Sequence, residues 1–227
     1  DEFHKIDAIA RAAVQEGLPI VLDITSLPKR YFFPILRAVC IAPAVRDLVI
    51  TYTSPAGYLE NAEMSENADD WAHLPGFVAR DDNRELLIAG VGFMAENLQS
   101  RFASILKHEA IKMLIPFPAP LAALNRSWEA VFQLEADRQP GKFENYRVDA
   151  TDMSAAFDRI LSLVRDTDAL PAFAPFGPKP ITAAMCLYAI QRQSAVYYPQ
   201  PKVYHPDYSR GIGKVDGKDA VFAYWVK

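Results

Sequence analysis

The chain has 227 residues, 51% of them hydrophobic and 23% charged, with 24 Lys and Arg against 28 Asp and Glu and a formal charge of −4. That composition excludes a disordered or fibrous chain, and the acidic balance argues against a broad nucleic-acid surface. Two distant cysteines, Cys40 and Cys186, form neither a disulfide framework nor a zinc-ligand pattern and read as reduced core residues.

In chain order, Ile6, Ile9, Ala10, Ala13 and Val14 recur at helical spacing, and Gly17-Leu18-Pro19 stops that helix. A short buried strand is expected at 19–24. A helix is expected over 31–39, where Pro34 fits only within the first turn. A strand rich in β-branched and aromatic residues follows at 48–52. Residues 54–83 break the rhythm with Pro, Gly, Asn and acidic residues, including Glu60, Glu63, Glu66, Asp69 and Asp70. They read as an acidic loop insertion, solvated and among the more mobile parts of the chain, or else a binding loop or lid.

The alternation resumes with a strand at 85–89, the turn Gly90-Val91-Gly92, a helix over 95–108, a strand at 112–116 and a helix over 120–135. A strand at 146–148 leads to a helix over 153–165, for which Asp152 is the expected N-cap. A strand at 172–174 precedes a helix over 179–191, and final strands are expected at 195–198 and 220–226. Strand and helix alternating in this way mean a single α/β domain over 1–227. The expected form is a Rossmann-like three-layer sandwich whose mainly parallel sheet ends in an antiparallel C-terminal edge. The chain opens on Asp1 and closes on what reads as an interrupted strand, so a piece of a longer protein is expected. With no signal peptide and no apolar run of membrane-spanning length, a cytoplasmic protein is expected.

In such sheets ligands bind beyond the carboxyl ends of the strands, so the loops there are the candidates for chemistry. The first, Asp23-Ile24-Thr25-Ser26-Leu27-Pro28-Lys29-Arg30, places hydroxyls of Thr25 and Ser26 and the cation of Lys29 where a strand gives way to a helix. That combination suits an anion, or simply a turn with solvated cations. The second, Gly90 and Gly92 with Val91 between them, formally fits G-x-G-x-x-[GA] without the rest of a dinucleotide fingerprint. Glu96 and Arg101 on the following helix are candidate ligand contacts. The third, Ala174 to Pro180, holds Gly177 and Lys179 between prolines at the start of a helix. A cation there opposes the helix dipole unless an anion lies between them.

A strand, a small-residue turn, a lysine and a helix together resemble the CRISPR-associated Rossmann-fold (CARF) sensor domains. Phe176-Gly177-Pro178-Lys179 keeps a glycine and the lysine of that family's phosphate-contacting loop, and Thr25-Ser26-Leu27-Pro28-Lys29 keeps hydroxyls and a lysine. The resemblance implies nucleotide sensing, antiviral defence and dimerisation. His4, His73, His108 and His205 lack metal-ligand spacing, so no metal site is expected, and no cofactor is indicated. The aromatic segment 197–211 reads as a base-stacking or partner surface, or as a loop pinned by its own rings.

Three readings stay open. The leading one is a sensor of an anionic small molecule such as a nucleotide, with a homodimer or a fused effector domain as its context. The second is an enzyme on a phosphorylated or nucleotide substrate with Asp23 or Glu96 as base. The third is an interaction scaffold using segment 197–211.

Overall fold

The computed structural model describes residues 2–58, 65–66, 71–78, 85–92, 110–118, 128, 131–132, 142–165, 167, 170–201, 203–204 and 208–227. The chain is an α/β protein built around a four-stranded, all-parallel sheet flanked by helices. Its strands are β6 (Leu86–Gly90), β7 (Ala110–Phe117), β8 (Phe143–Asp149) and β9 (Ala172–Pro175), in the order β8-β7-β6-β9. Strand β6 is buried at every position, as expected of a central parallel strand covered on both faces, and its unbroken run Leu-Leu-Ile-Ala-Gly follows from that.

A second sheet has the order β1-β2-β15. β1 (Ile20–Asp23) runs parallel to β2 (Leu48–Thr53), and the C-terminal β15 (Val221–Trp225) lies antiparallel to β2 as an edge. The antiparallel C-terminal edge is as expected, whereas the described parallel strands divide between two sheets. Among the described residues, two side-chain hydrogen bonds tie the sheets. After β9, the Lys179 ammonium donates to the Thr25 carbonyl, which follows β1, at 2.5 Å. After β8, the Thr151 carbonyl accepts from the Tyr224 hydroxyl of β15. The three-stranded sheet thus meets the loops at the carboxyl end of the four-stranded one.

Helices pack in the sequence α1 (Glu2–Gln15), α2 (Lys29–Ile41), α4 (Lys179–Arg192) and α3 (Met153–Val164), each against the next. Helix α1 buries Ile6 and Ala10 one turn apart, and Gly17, at φ +66°, takes the left-handed conformation that ends it. Helix α2 buries Phe32, Phe33, Leu36 and Val39. It begins two residues earlier than its apolar pattern indicated, so Pro34 lies in the second turn rather than the first. Its C-terminal carbonyls are satisfied from the far end of the chain: Lys227 Nζ donates to Cys40 O at 3.1 Å and to Ala42 O at 2.9 Å. Helix α4 is buried nearly all round, with Ala183, Ala184 and Ala189 allowing close approach of α2, α3 and β9.

Asp152 caps α3 as the sequence indicates, accepting from Ala155 N at 2.8 Å. Replacing it with alanine is expected to cost about 1 kcal/mol, read as a lower urea midpoint at unchanged slope. No loss would mean that another group takes over the Ala155 donor.

The described parts of 54–83 include three short strands. β3 (Gly57–Tyr58), β4 (Ser65–Glu66) and β5 (Trp71–His73) pair antiparallel with β12 (Ser209–Arg210), β11 (Val203–Tyr204) and β10 (Tyr197–Pro199). The short strands of the acidic excursion and those of the aromatic segment 197–211 therefore pair with one another. Next to β10, the parallel bridge Phe173–Val196 joins them to β9. A hairpin of β13 (Lys214–Val215) and β14 (Lys218–Asp219) then leads into β15. The helices expected over 95–108 and 120–135 lie almost wholly outside the described residues, of which Trp128, Val131 and Phe132 are helical. Among the described residues no helix is long and apolar enough to cross a membrane.

Candidate functional site

Both helices that begin at the join between the sheets start with the same dipeptide. Pro28 (φ −58°, ψ 148°) precedes Lys29 at the first position of α2, and Pro178 (φ −53°, ψ 153°) precedes Lys179 at the first position of α4. Proline fixes φ near the value that entry to a helix requires, so each lysine is set rigidly at a positive helix end. Neither helix has a capping side chain or an acidic residue in its first turn, the usual means of neutralising that end.

The loop after β1 is built on Asp23. Its carboxylate accepts from Thr25 N at 2.7 Å and from Thr51 Oγ1 at 3.2 Å. Thr25 Oγ1 in turn accepts from Thr53 N at 2.8 Å. This turn aims the Thr25 carbonyl at Lys179. Burial pulls the Asp23 carboxyl up, but hydrogen bonds from Thr25 and Thr51 and the Lys179 charge hold it, on balance, below the usual carboxylate range. Asp23 is therefore an anchored anion.

The two lysines differ in what they have to contact. Lys179 has the Thr25 carbonyl and the Asp23 charge; burial nevertheless pushes its ammonium down to about 8. Lys29 is half-buried, and desolvation together with the Lys179 charge pushes its ammonium down to about 7. It lies 5.4 Å from the centre of the Tyr198 ring and has no carboxylate or hydrogen-bond acceptor among the described residues. Tyr198 is itself buried against Phe176, ring centres 6.1 Å apart, so its ring supports Lys29 and is not an open stacking platform. No protein-family model and no curated protein matches the sequence. The chemistry of the site rests on its own residues.

Of the sequence candidates, Thr25, Lys29 and Lys179 come together here, and Ser26 lies exposed in the same loop. Gly90, Gly92 and Gly177 adjoin them on the same edge of the four-stranded sheet, but they are buried against one another. A Cβ on Gly90 would lie 3.0 Å from Gly177 N, and one on Gly92 only 2.1 Å from the Phe176 carbonyl oxygen. Their lack of side chains lets the post-β6 loop lie against the post-β9 loop, which fixes the approach to Lys179. Glu96 and Arg101 lie outside the described residues. Tyr198 was not singled out by the sequence, because nothing local marks which ring of an aromatic segment meets a helix start. The Pro-Lys that opens both helices is a sequence repeat that the loop-by-loop reading passed over.

Proposed function

We propose that this protein is a ligand-binding sensor domain whose ligand is an anionic small molecule of the nucleotide class. The ligand would be held where α2 and α4 begin. The observation that carries the proposal is the paired helix starts: Lys29 and Lys179 stand at the first positions of α2 and α4, with no acidic residue in either first turn. A buried cation is costly unless paired. An oxyanion between the two helix ends would offset both lysines and both dipoles. The two loops that resemble the CARF sensors are the ones that meet here, which supports the nucleotide class and, with it, a role in antiviral defence. The reading as an enzyme with Asp23 as base gains nothing from the geometry, since that carboxylate is occupied by Thr25 and Thr51 and its proton affinity is low. The backbone of segment 197–211 is likewise partly spent on its strand pairs.

The test is a thermal-shift series with inorganic phosphate, pyrophosphate and nucleotides, since a ligand of the folded state raises the melting temperature with concentration. The wild type should shift. Lys179→Ala should lose most of the shift, while the free variant gives up about 1 kcal/mol for the contact to Thr25. An equal shift in wild type and Lys179→Ala would remove the proposal.

A further inference from the structure

The edges of the two larger sheets are not alike. β1 is four residues long, follows Pro19 and ends on the charge of Asp23. β8 carries Glu144, Arg147 and Asp149, and β9 meets Val196 through its parallel bridge. Charge, proline and a covering segment are the usual means by which a sheet edge is kept from pairing with another chain. Among the described residues, β15 has none of them. Its residues Val221-Phe222-Ala223-Tyr224-Trp225 include no charge, proline or glycine, and they pair with β2 in unbroken register from Val221–Thr53 to Trp225–Val49. We infer that this edge is a self-association surface whose partner is a second copy of the chain, the two β15 strands pairing antiparallel about a two-fold axis at Ala223.

The backbone sets that register. At the two ends of the strand Ser54 N donates to Ala220 O and Val226 N donates to Leu48 O, each at 2.9 Å, so the even-numbered residues face β2. The N–H and C=O groups of Val221, Ala223 and Trp225 therefore point to the open edge, and they have no backbone partner among the described residues. A two-fold axis at Ala223 sets Ala223 against its own copy and Val221 against Trp225 of the second copy. Each of these pairs is of the doubly hydrogen-bonded kind, and each copy offers the same groups to the other. The side chains of the same three residues share the exposed face of the strand, Val221 56% and Trp225 72% exposed. The pairing puts each Trp225 indole beside a smaller Val221, with only methyl groups at the axis. Carried outward, the register sets Asp219 opposite Lys227 of the second copy, unlike charges at both ends. The edge lies across β2 from β1, whose loop carries the anion site, so self-association stands or falls independently of that site.

One strand pair is small beside the about 800 Å² per partner of a standard interface, so a weak dimer, with a dissociation constant of about 10–100 μM, is expected. Sedimentation velocity of the wild type from about 1 μM to about 500 μM should show the mass rising toward twice the monomer's. Ala223→Lys and Ala223→Glu each put like charges face to face at the axis and should weaken association by about tenfold or more. Their melting temperatures should stay near wild type, because Ala223 is exposed. An equimolar mixture of the two should associate again, since unlike charges then meet across the axis. Ala223→Pro, which removes the N–H at the axis and none that faces β2, should remain monomeric. Wild type that stays monomeric throughout overturns the inference. So does a dimer that Ala223→Lys and Ala223→Pro leave intact, or a mixture of the folded charge variants that stays monomeric.

Discussion

Gly92→Ala is expected to be the most damaging single methyl that can be added to this protein's described glycines. Its Cβ would stand 2.1 Å from the Phe176 carbonyl oxygen, 2.9 Å from the carbonyl carbon and 3.2 Å from Gly177 Cα. All three are backbone atoms of the loop after β9, so no side-chain rotation relieves the contact. The loops after β6 and β9 must separate, although their strands are held as parallel neighbours with Gly90 opposite Pro175. A loss of more than about 3 kcal/mol is expected, in the range of severe core overpacking. Gly57→Ala is the control: nothing lies within 4 Å of its Cβ, and a change within about 0.5 kcal/mol is expected. The measurement is a pair of urea midpoints, with soluble yield as the readout where Gly92→Ala does not fold. A Gly92→Ala protein within about 1 kcal/mol of wild type would mean that the two loops do not pack this closely.

Those glycines also illustrate what was legible in the sequence. A glycine pair after a strand is compatible with a phosphate against the backbone or with another backbone against it, and only the three-dimensional neighbour distinguishes the two. Elements whose signals are local were readable: the continuous apolar run of β6, the Gly17 stop of α1 and the Asp152 cap of α3 each express a nearest-neighbour requirement. The pairing between 57–73 and 197–210 was not. Its strands are two or three residues long, and their register is set by partners well over a hundred residues away. The division into two sheets was hidden for the same reason, because it rests on distant contacts such as Lys179 with Thr25 and Tyr224 with Thr151. At the site, the sequence named both lysines, each in its own loop after a strand. That Lys179 meets the Thr25 carbonyl while Lys29 has no acceptor among the described residues could only be seen once α2 and α4 were placed together.

That asymmetry predicts how stability depends on pH. In the folded protein Lys29 loses its proton near 7, against an ordinary 10.5 in the unfolded chain, because burial and the Lys179 charge disfavour the ammonium. Below pH 7 both states are protonated, and the folded state bears the full cost of the buried charge. Between 7 and 10.5 the unfolded chain binds a proton that the folded one does not, so stability rises with pH, by up to about 1.4 kcal/mol per pH unit. Lys179, at about 8 in the folded state, adds to the rise only above pH 8. Lys29→Met keeps an unbranched side chain of similar reach at this position and removes the charge that lies over Tyr198. It should therefore be more stable than wild type at pH 6–7, by roughly 1–3 kcal/mol, with the advantage shrinking steadily toward pH 9. A saturating oxyanion should reverse the order, since only the wild type gains a partner for its ammonium. Urea midpoints at pH 6, 7, 8 and 9, with and without phosphate, separate the cases. If Lys29→Met is the less stable protein at pH 6–7 without ligand, Lys29 is paired in the free fold and is a structural residue, and the site loses the group that calls for an anion.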